Sequence, residues 1–352
     1  MYKKQLDGFR AILFFAVFTY HHNVNWWFLT YALPCFFVLS GFLITRILVA
    51  GDGLPRGSFL KSFYIRRALR ILPLFYAFLA VAVFFGIIVY PLWHAAYAFN
   101  IKLFLLSVPE NRGAFLRLFA HWQHGQLHLW SLAVEEQYYL LWPCFVVFTP
   151  RRWRVPAVGV LLAASIALRV GFAHSETYSQ SLYGALLPIC GEYILWGSLA
   201  GLLQSHGFRF RVPAAWLYSG VLGLIVLSHL ETPEMFHGFY QFIPSPRQTF
   251  FGICITLVII GLWNEDDALL SRFLRFPFFT WLGKMSYGLY VVHMATWDLA
   301  DWIVNRFPSL RWVNLYSLRL VLCVLAATLS WYCLESPINR LKRHFPAPHP
   351  KR

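Results

Sequence analysis

The chain has 352 residues, of which 59% are hydrophobic, 19% aromatic and only 13% charged. Soluble domains carry about 25% charged residues, so the composition excludes an ordinary water-soluble enzyme and indicates an all-α polytopic membrane protein. The net charge of +15 does not argue for nucleic acid, because basic residues gather in the cytoplasmic loops of any such protein.

The first apolar stretch, about 9–25, carries Asp7, Arg10 and His21 and lacks a small-residue cleavage site, so it reads as an uncleaved anchor. Arg10 and His21 are eleven residues apart, close to a whole number of helical turns. They therefore share one helix face, roughly 16 Å apart along the axis. Lipid penalises a charge at the bilayer centre by about 2.5–3.5 kcal/mol, which favours a face turned to protein or to a wet cavity. Taken alone, the helix also permits Arg10 to snorkel and His21 to cap the outer end. Asp7 and Arg10 can pair at i, i+3.

A second stretch, 29–50, leads through a short loop at Gly51–Gly57 to the run Phe63-Tyr64-Ile65-Arg66-Arg67-Ala68-Leu69-Arg70-Ile71-Leu72-Pro73. Arg67 and Arg70 share a face, and guanidinium forks match phosphate oxygens bidentately. An ordinary positive-inside flank explains the same run. The third stretch, 70–91, precedes a segment at 92–127 rich in His, Trp and Phe, which suggests a folded external cap. His121, His124 and His128 have metal-like spacing but no accompanying carboxylate or cysteine, so no metal is expected. None of the six cysteines forms a C-x-x-C pair.

The fourth stretch, 128–148, opens on His128-Leu129-Trp130-Ser131-Leu132-Ala133-Val134-Glu135-Glu136-Gln137-Tyr138-Tyr139. Its carboxylates suit a helix start, but Trp130, Glu135 and Gln137 together suit a site where a ring stacks and hydroxyls are hydrogen-bonded. Glu135 and Glu136 project about 100° apart, so one of them is expected to face an internal cavity. Stretches follow at 154–173, 184–204, 214–231 and 248–264. The ninth, 278–304, places Ser286, Tyr290 and His293 near one stripe, and the tenth, 314–334, ends at Glu335-Ser336-Pro337.

About ten spans put both termini on one side. Placing them in the cytoplasm leaves Lys3, Lys4, Arg46, Arg56, Lys61, Arg66, Arg67, Arg70, Arg151, Arg152, Arg154, Arg209, Arg211, Arg272, Arg275, Arg340, Lys342, Arg343, Lys351 and Arg352 inside. Lys102, Arg112, Arg117, Arg169, Arg247, Arg306, Arg311 and Arg319 fall outside. The expected organisation is one integral-membrane domain over 1–344 and a basic cytoplasmic tail over 345–352.

Six blocks in order resemble the family 3 integral-membrane acyltransferases, which modify bacterial surface glycans and other acceptors. They are Leu6-Asp7-Gly8-Phe9-Arg10-Ala11 with His21; Phe36-Phe37-Val38-Leu39-Ser40-Gly41-Phe42; Arg66-Arg67-Ala68-Leu69-Arg70; Trp130–Tyr139; Leu282–Tyr290 with His293; and Glu335-Ser336-Pro337. The resemblance covers the chain from Leu6 to about Arg343. It implies a ten-helix core in the bacterial cytoplasmic membrane that takes an acyl group, usually acetyl, from cytoplasmic acyl-CoA. The group passes to a hydroxyl of an acceptor outside, expected to be a cell-surface glycan.

On this resemblance His21 matches the catalytic histidine, Arg10 the arginine of the same motif and Glu135 the fourth-span glutamate. Arg67 and Arg70, with Arg66, match the basic motif at the CoA end. Trp130, Gln137, His293 and Ser286 are the candidates for acceptor contacts. Pro34-Cys35 depart from the family's usual Val-Asp pair, and no fused esterase-like domain is seen. An imidazole near its reference pKa of about 6.5 suits a general base for a hydroxyl. The alternative is a transporter or flippase for an acidic or lipid-linked solute, using the same ionisable groups as a pathway.

Overall fold

The structure is a computed structural model that describes residues 2–22, 29, 31–111, 113–114, 127–175, 177, 181–208, 213–229, 247–307, 309 and 312–345. Among these residues the chain is helical and contains no strand. The principal helices are α1 (Lys4–His21), α2 (Ala32–Val49), α3 (Arg56–Phe84), α4 (Pro91–Ala95), α5 (Phe99–Ser107), α6 (Leu129–Phe148), α7 (Arg151–Ala173) and α8 (Leu187–Ser205). They continue with α9 (Pro213–His229), α10 (Gln248–Asn264), α11 (Leu269–Leu274), α12 (Pro277–Lys284), α13 (Ser286–Val292), α14 (Ala295–Arg306), α15 (Leu315–Ser330) and α16 (Ser336–Arg340). Four segments are long and apolar enough to cross a bilayer: Ala32–Val49, Arg56–Phe84, Arg151–Ala173 and Leu315–His344. His121, His124 and residues 346–352 of the tail lie outside the described residues.

Two of the expected stretches are redrawn. The third helix begins at Arg56, not near residue 70, because Arg, Leu and Lys are good helix formers whatever their hydropathy. It stops at Phe84 rather than 91 because Gly86 takes a left-handed φ of 68°. Ile87 then donates to the Ala82 carbonyl at 2.8 Å and Gly86 to that of Val83 at 3.0 Å, the Schellman pattern. The ninth stretch is not one helix but α12, α13 and α14, interrupted at Met285 and at His293–Met294. Gly283, Ser286 and Gly288 give this stretch weak intrinsic helicity.

Helix packing depends on small residues. A Cβ on Gly41 would stand 2.0 Å from the Ile194 carbonyl oxygen, and one on Gly197 1.9 Å from that of Val38, so α2 and α8 meet backbone to backbone. Gly8 and Gly283 do the same for α1, where added Cβ atoms would lie 1.9 Å from the Leu274 oxygen and 1.8 Å from the Asp7 oxygen. One face of α1 joins the main core through Leu6, Leu13 and Val17. Its other face, with Ala11, Phe14 and Phe18, packs with Leu282, Met285, Leu289, Cys323 and Ala327 of the α12–α15 region.

Charged residues tie the helix ends. Lys3 bonds Asp266 at 2.7 Å, Arg154 grips Asp52 through two 2.7 Å bonds, and Arg46 reaches Gln204. These contacts gather at one end of the molecule segments that the sequence assigns to one side of the membrane. Arg169, which the sequence assigns to the external side, falls near the C-terminal end of its helix. It lies in α7, buried, with Nε 3.1 Å from Glu192, while Thr249 bonds both side chains. Pairing explains its position, since an isolated buried charge is costly and a paired one is tolerated.

Candidate active site

A cavity of about 210 Å³ opens among α1, α2, α3, α6 and α13. Its charged lining comprises Arg10, Arg67, Arg70, Glu135 and Glu136, joined by Ser40, Ser131, Ser286, Tyr139, Tyr287 and Tyr290. Each group has an identifiable local cause. Arg10 is held by Asp7 one turn back, at 2.6 Å, and Asp7 also accepts from the Tyr2 hydroxyl. Arg67 lies flat over the Tyr139 ring, 3.5 Å from its centroid, a favourable cation–π contact. Its buried Nε has no hydrogen-bond partner among the described residues. Arg70 is exposed to the cavity, and neither Arg67 nor Arg70 has an ion-pair partner among the described residues.

Glu135 accepts the Ser40 hydroxyl at 2.7 Å, and the Tyr139 hydroxyl donates to Ser40 at 3.0 Å. The Phe-rich motif of α2 therefore contributes a polar residue, Ser40, that the sequence argument passed over. Its signal was that it is one of only two hydroxyl side chains, with Thr45, in an apolar helix. The expectation that only one of the adjacent glutamates faces inward is corrected, because both line the cavity. The opening between α2 and α3 spans more of the α6 surface than the 100° step separating the two side chains.

The cavity ends at Ser131 and Tyr290. Their hydroxyls lie 2.6 Å apart, and the Tyr290 hydroxyl is also 3.0 Å from the His128 carbonyl oxygen. Behind this pair stand the histidines. The His293 ring is 5.4 Å from the Tyr290 ring, 4.5 Å from His128 and 5.2 Å from His21. His21 Nδ1 and His293 Nε2 are 3.3 Å apart. Arg10 thus lines the cavity while His21, on the same helix, does not. His22 is half-buried in a box of Phe18, Trp297 and Tyr316, with ring centroids 4.6, 4.1 and 4.8 Å away.

Three expected site residues lie elsewhere. Gln137 donates at 2.8 Å to both the Tyr97 carbonyl and the Asn100 side chain, stapling α6 to α5. Trp130 packs edge-on against Phe37, 6.2 Å between centroids, and does not line the cavity. Arg66 donates to the carbonyls of Lys342 and Phe345, anchoring the C-terminal turn. Ser286 does line the cavity, and His293 belongs to the histidine cluster. At the family's Val-Asp position Cys35 is a buried free thiol. Glu335, in a π-helical turn, is bonded by Ser330 at 3.0 Å and has no ion-pair partner among the described residues. No group of three metal-ligating side chains occurs among the described residues.

The sequence matches the model of the Acyltransferase domain over residues 3–335. It is 26% identical to peptidoglycan O-acetyltransferase OatA of Listeria monocytogenes, across 96% of this chain and 56% of that protein. It is 28% identical to the putative peptidoglycan O-acetyltransferase YrhL of Bacillus subtilis, across 95% and 54% respectively. For O-acetyltransferase OatA of Staphylococcus aureus the identity is 24%, across 96% and 57%. The chain therefore spans about half the length of these relatives. No solved structure matches. With the domain model covering nearly its whole length, the chain belongs to the family 3 acyltransferases.

Proposed function

We propose that this protein is a membrane O-acyltransferase that moves an acyl group, acetyl by default, from cytoplasmic acyl-CoA to a hydroxyl of an extracytoplasmic cell-surface glycan. The single observation that carries the reading is the pair of cavity-lining guanidiniums, Arg67 and Arg70, neither of which forms an ion pair within 4 Å among the described residues. Three other arginines, Arg154, Arg169 and Arg319, are by contrast paired with Asp52, Glu192 and Asp301. Unpaired guanidiniums in a cavity suit phosphate, whose oxygens they bind bidentately. A volume of about 210 Å³ is below the usual 300–1,000 Å³ of a site enclosing a drug-sized ligand. It suits the thin thioester arm of CoA, with the nucleotide left at the basic mouth.

In this reading His21 is the general base. Its Nε2 takes the acceptor hydroxyl proton as the oxygen attacks the thioester carbonyl. The tetrahedral intermediate collapses, the C–S bond breaks, and the imidazolium returns the proton to the CoA sulfur. The products are the acyl ester and free CoA. Glu135, held by Ser40, organises the polar wall beside Arg67. The Tyr290–Ser131 contact must part for the thioester to approach His21. The ten-span topology with cytoplasmic termini and residence in a bacterial cytoplasmic membrane belong to the same reading. The relatives named as peptidoglycan O-acetyltransferases support a glycan acceptor and lend nothing to the transporter alternative.

The test is CoA release from acetyl-CoA by the purified full chain, with and without a muropeptide digest, with mass spectrometry of the saccharide. Acceptor-dependent CoA release with acetylated saccharide is expected. Thioester consumption that no glycan acceptor accelerates would count against the proposal.

A further inference from the structure

We infer that His293 is a positioning residue for His21: its Nε2 lone pair accepts the His21 Nδ1–H and thereby turns the His21 Nε2 toward the reacting hydroxyl. This rests on the proposed role of His21 as base. The assignment follows from which atoms can donate. His293 Nδ1 lies 2.6 Å from the Tyr290 carbonyl oxygen, and a carbonyl only accepts. The proton of a neutral His293 is therefore on Nδ1, and its Nε2 carries a lone pair. That lone pair faces His21 Nδ1 at 3.3 Å, so His21 must supply the hydrogen. This neighbour favours His21 protonated on Nδ1 and basic on Nε2.

The arrangement is supported from behind. His293 is fully buried and sits where α13 breaks before α14. Phe14 meets its ring edge-on at 6.3 Å, and His128 lies against it at 4.5 Å. His128 Nε2 is 3.3 Å from the Val291 carbonyl, so that nitrogen donates to the α13 backbone, leaving the His293 lone pair to His21. When His21 takes up the substrate proton, its Nδ1–H keeps an acceptor. The logic is that of a histidine oriented by a third group, with a neutral imidazole in place of a carboxylate.

The experiment compares His293→Met, His293→Gln and His21→Ala in the purified full chain, using acetyl-CoA with a muropeptide digest. Met keeps apolar volume without an acceptor, whereas Gln restores an acceptor oxygen near the Nε2 position. The expectation is about a tenfold or larger fall in kcat for Met with KM for acetyl-CoA nearly unchanged, and recovery of most of that loss by Gln. Nitrogen NMR of histidine-labelled wild-type protein should show His21 protonated on Nδ1 and His293 unprotonated on Nε2, whether or not a variant folds. Wild-type turnover in Met would reduce His293 to core packing and overturn the inference. Gln as inactive as Met, or His21 protonated on Nε2, would overturn it too. Retained transfer in His21→Ala would instead strike the underlying assignment of the base.

Discussion

Arg67 and Arg70 line the cavity without an ion pair among the described residues, whereas beyond Tyr290 the imidazoles of His21 and His293 are bonded to each other and His293 to backbone. The first region is an open cavity lined by three guanidiniums, as suits a site for a mobile anionic ligand. The second is buried, aromatic and already hydrogen-bonded, as suits groups that must be oriented before a proton moves. The Ser131–Tyr290 contact separates them. On the proposed function, binding of the donor and activation of the acceptor fall at different ends of α1, with Arg10 at one and His21 at the other.

The comparison breaks most sharply at His21. His21→Ala should lower turnover by about two or more orders of magnitude, the usual contribution of a general base, with expression and membrane insertion intact. Steady-state kinetics on purified protein checks this. Near wild-type turnover would move the chemistry away from the histidine end.

A smaller effect sharpens the role of the cavity wall. Glu135→Gln should reduce kcat about tenfold, because it alters the carboxyl group that accepts the Ser40 hydroxyl. Glu136→Gln, which loses no hydrogen bond seen among the described residues, should cost less. The ratio of the two kcat values is the readout, and an inverted ratio would transfer the organising role to Glu136.

Much of this was legible in the sequence. The Arg10–His21 spacing places both on one face of α1, and the Asp7–Arg10 pair follows from an i, i+3 step. The Arg67–Arg70 step likewise puts two guanidiniums into the same cavity. What local spacing could not supply was the partner across 272 residues of sequence that brings His293 to His21. Nor could it show that Gln137 is spent on Asn100, which requires knowing that α5 folds back on α6. The ninth stretch was misread as a single helix because hydropathy windows record apolar content and not the breaks at Met285 and His293.

Gln137→Ala should leave KM for both acetyl-CoA and acceptor within about twofold while lowering thermal stability by about 1–3 kcal/mol, since a buried Asn100 loses its partner. Kinetics alongside thermal unfolding in detergent separates these outcomes, and a selective rise in acceptor KM would return Gln137 to the acceptor site.

The smallest effect lies farthest from both regions. The Lys3 ammonium beside Asp266 holds its carboxyl below the usual carboxylate range. A depressed folded value means that its stabilisation is present above the unfolded pKa of about 3.9 and is lost as pH falls through the folded value. Asp266 is largely exposed, so the contribution is small and screened by salt. The melting temperature of Asp266→Asn should fall slightly below wild type near pH 6, and the gap should close on acidification. A gap that widens instead would contradict the sign.

The division of labour between the two ends is tested most directly by equilibrium titration of CoA against wild type, His21→Ala, Arg67→Ala and Arg70→Ala. Each arginine variant should bind about ten- to a hundredfold more weakly, as expected for a lost bond to a charged group, while His21→Ala binds like wild type. CoA affinity unchanged in both arginine variants, or lost in His21→Ala, would contradict the account.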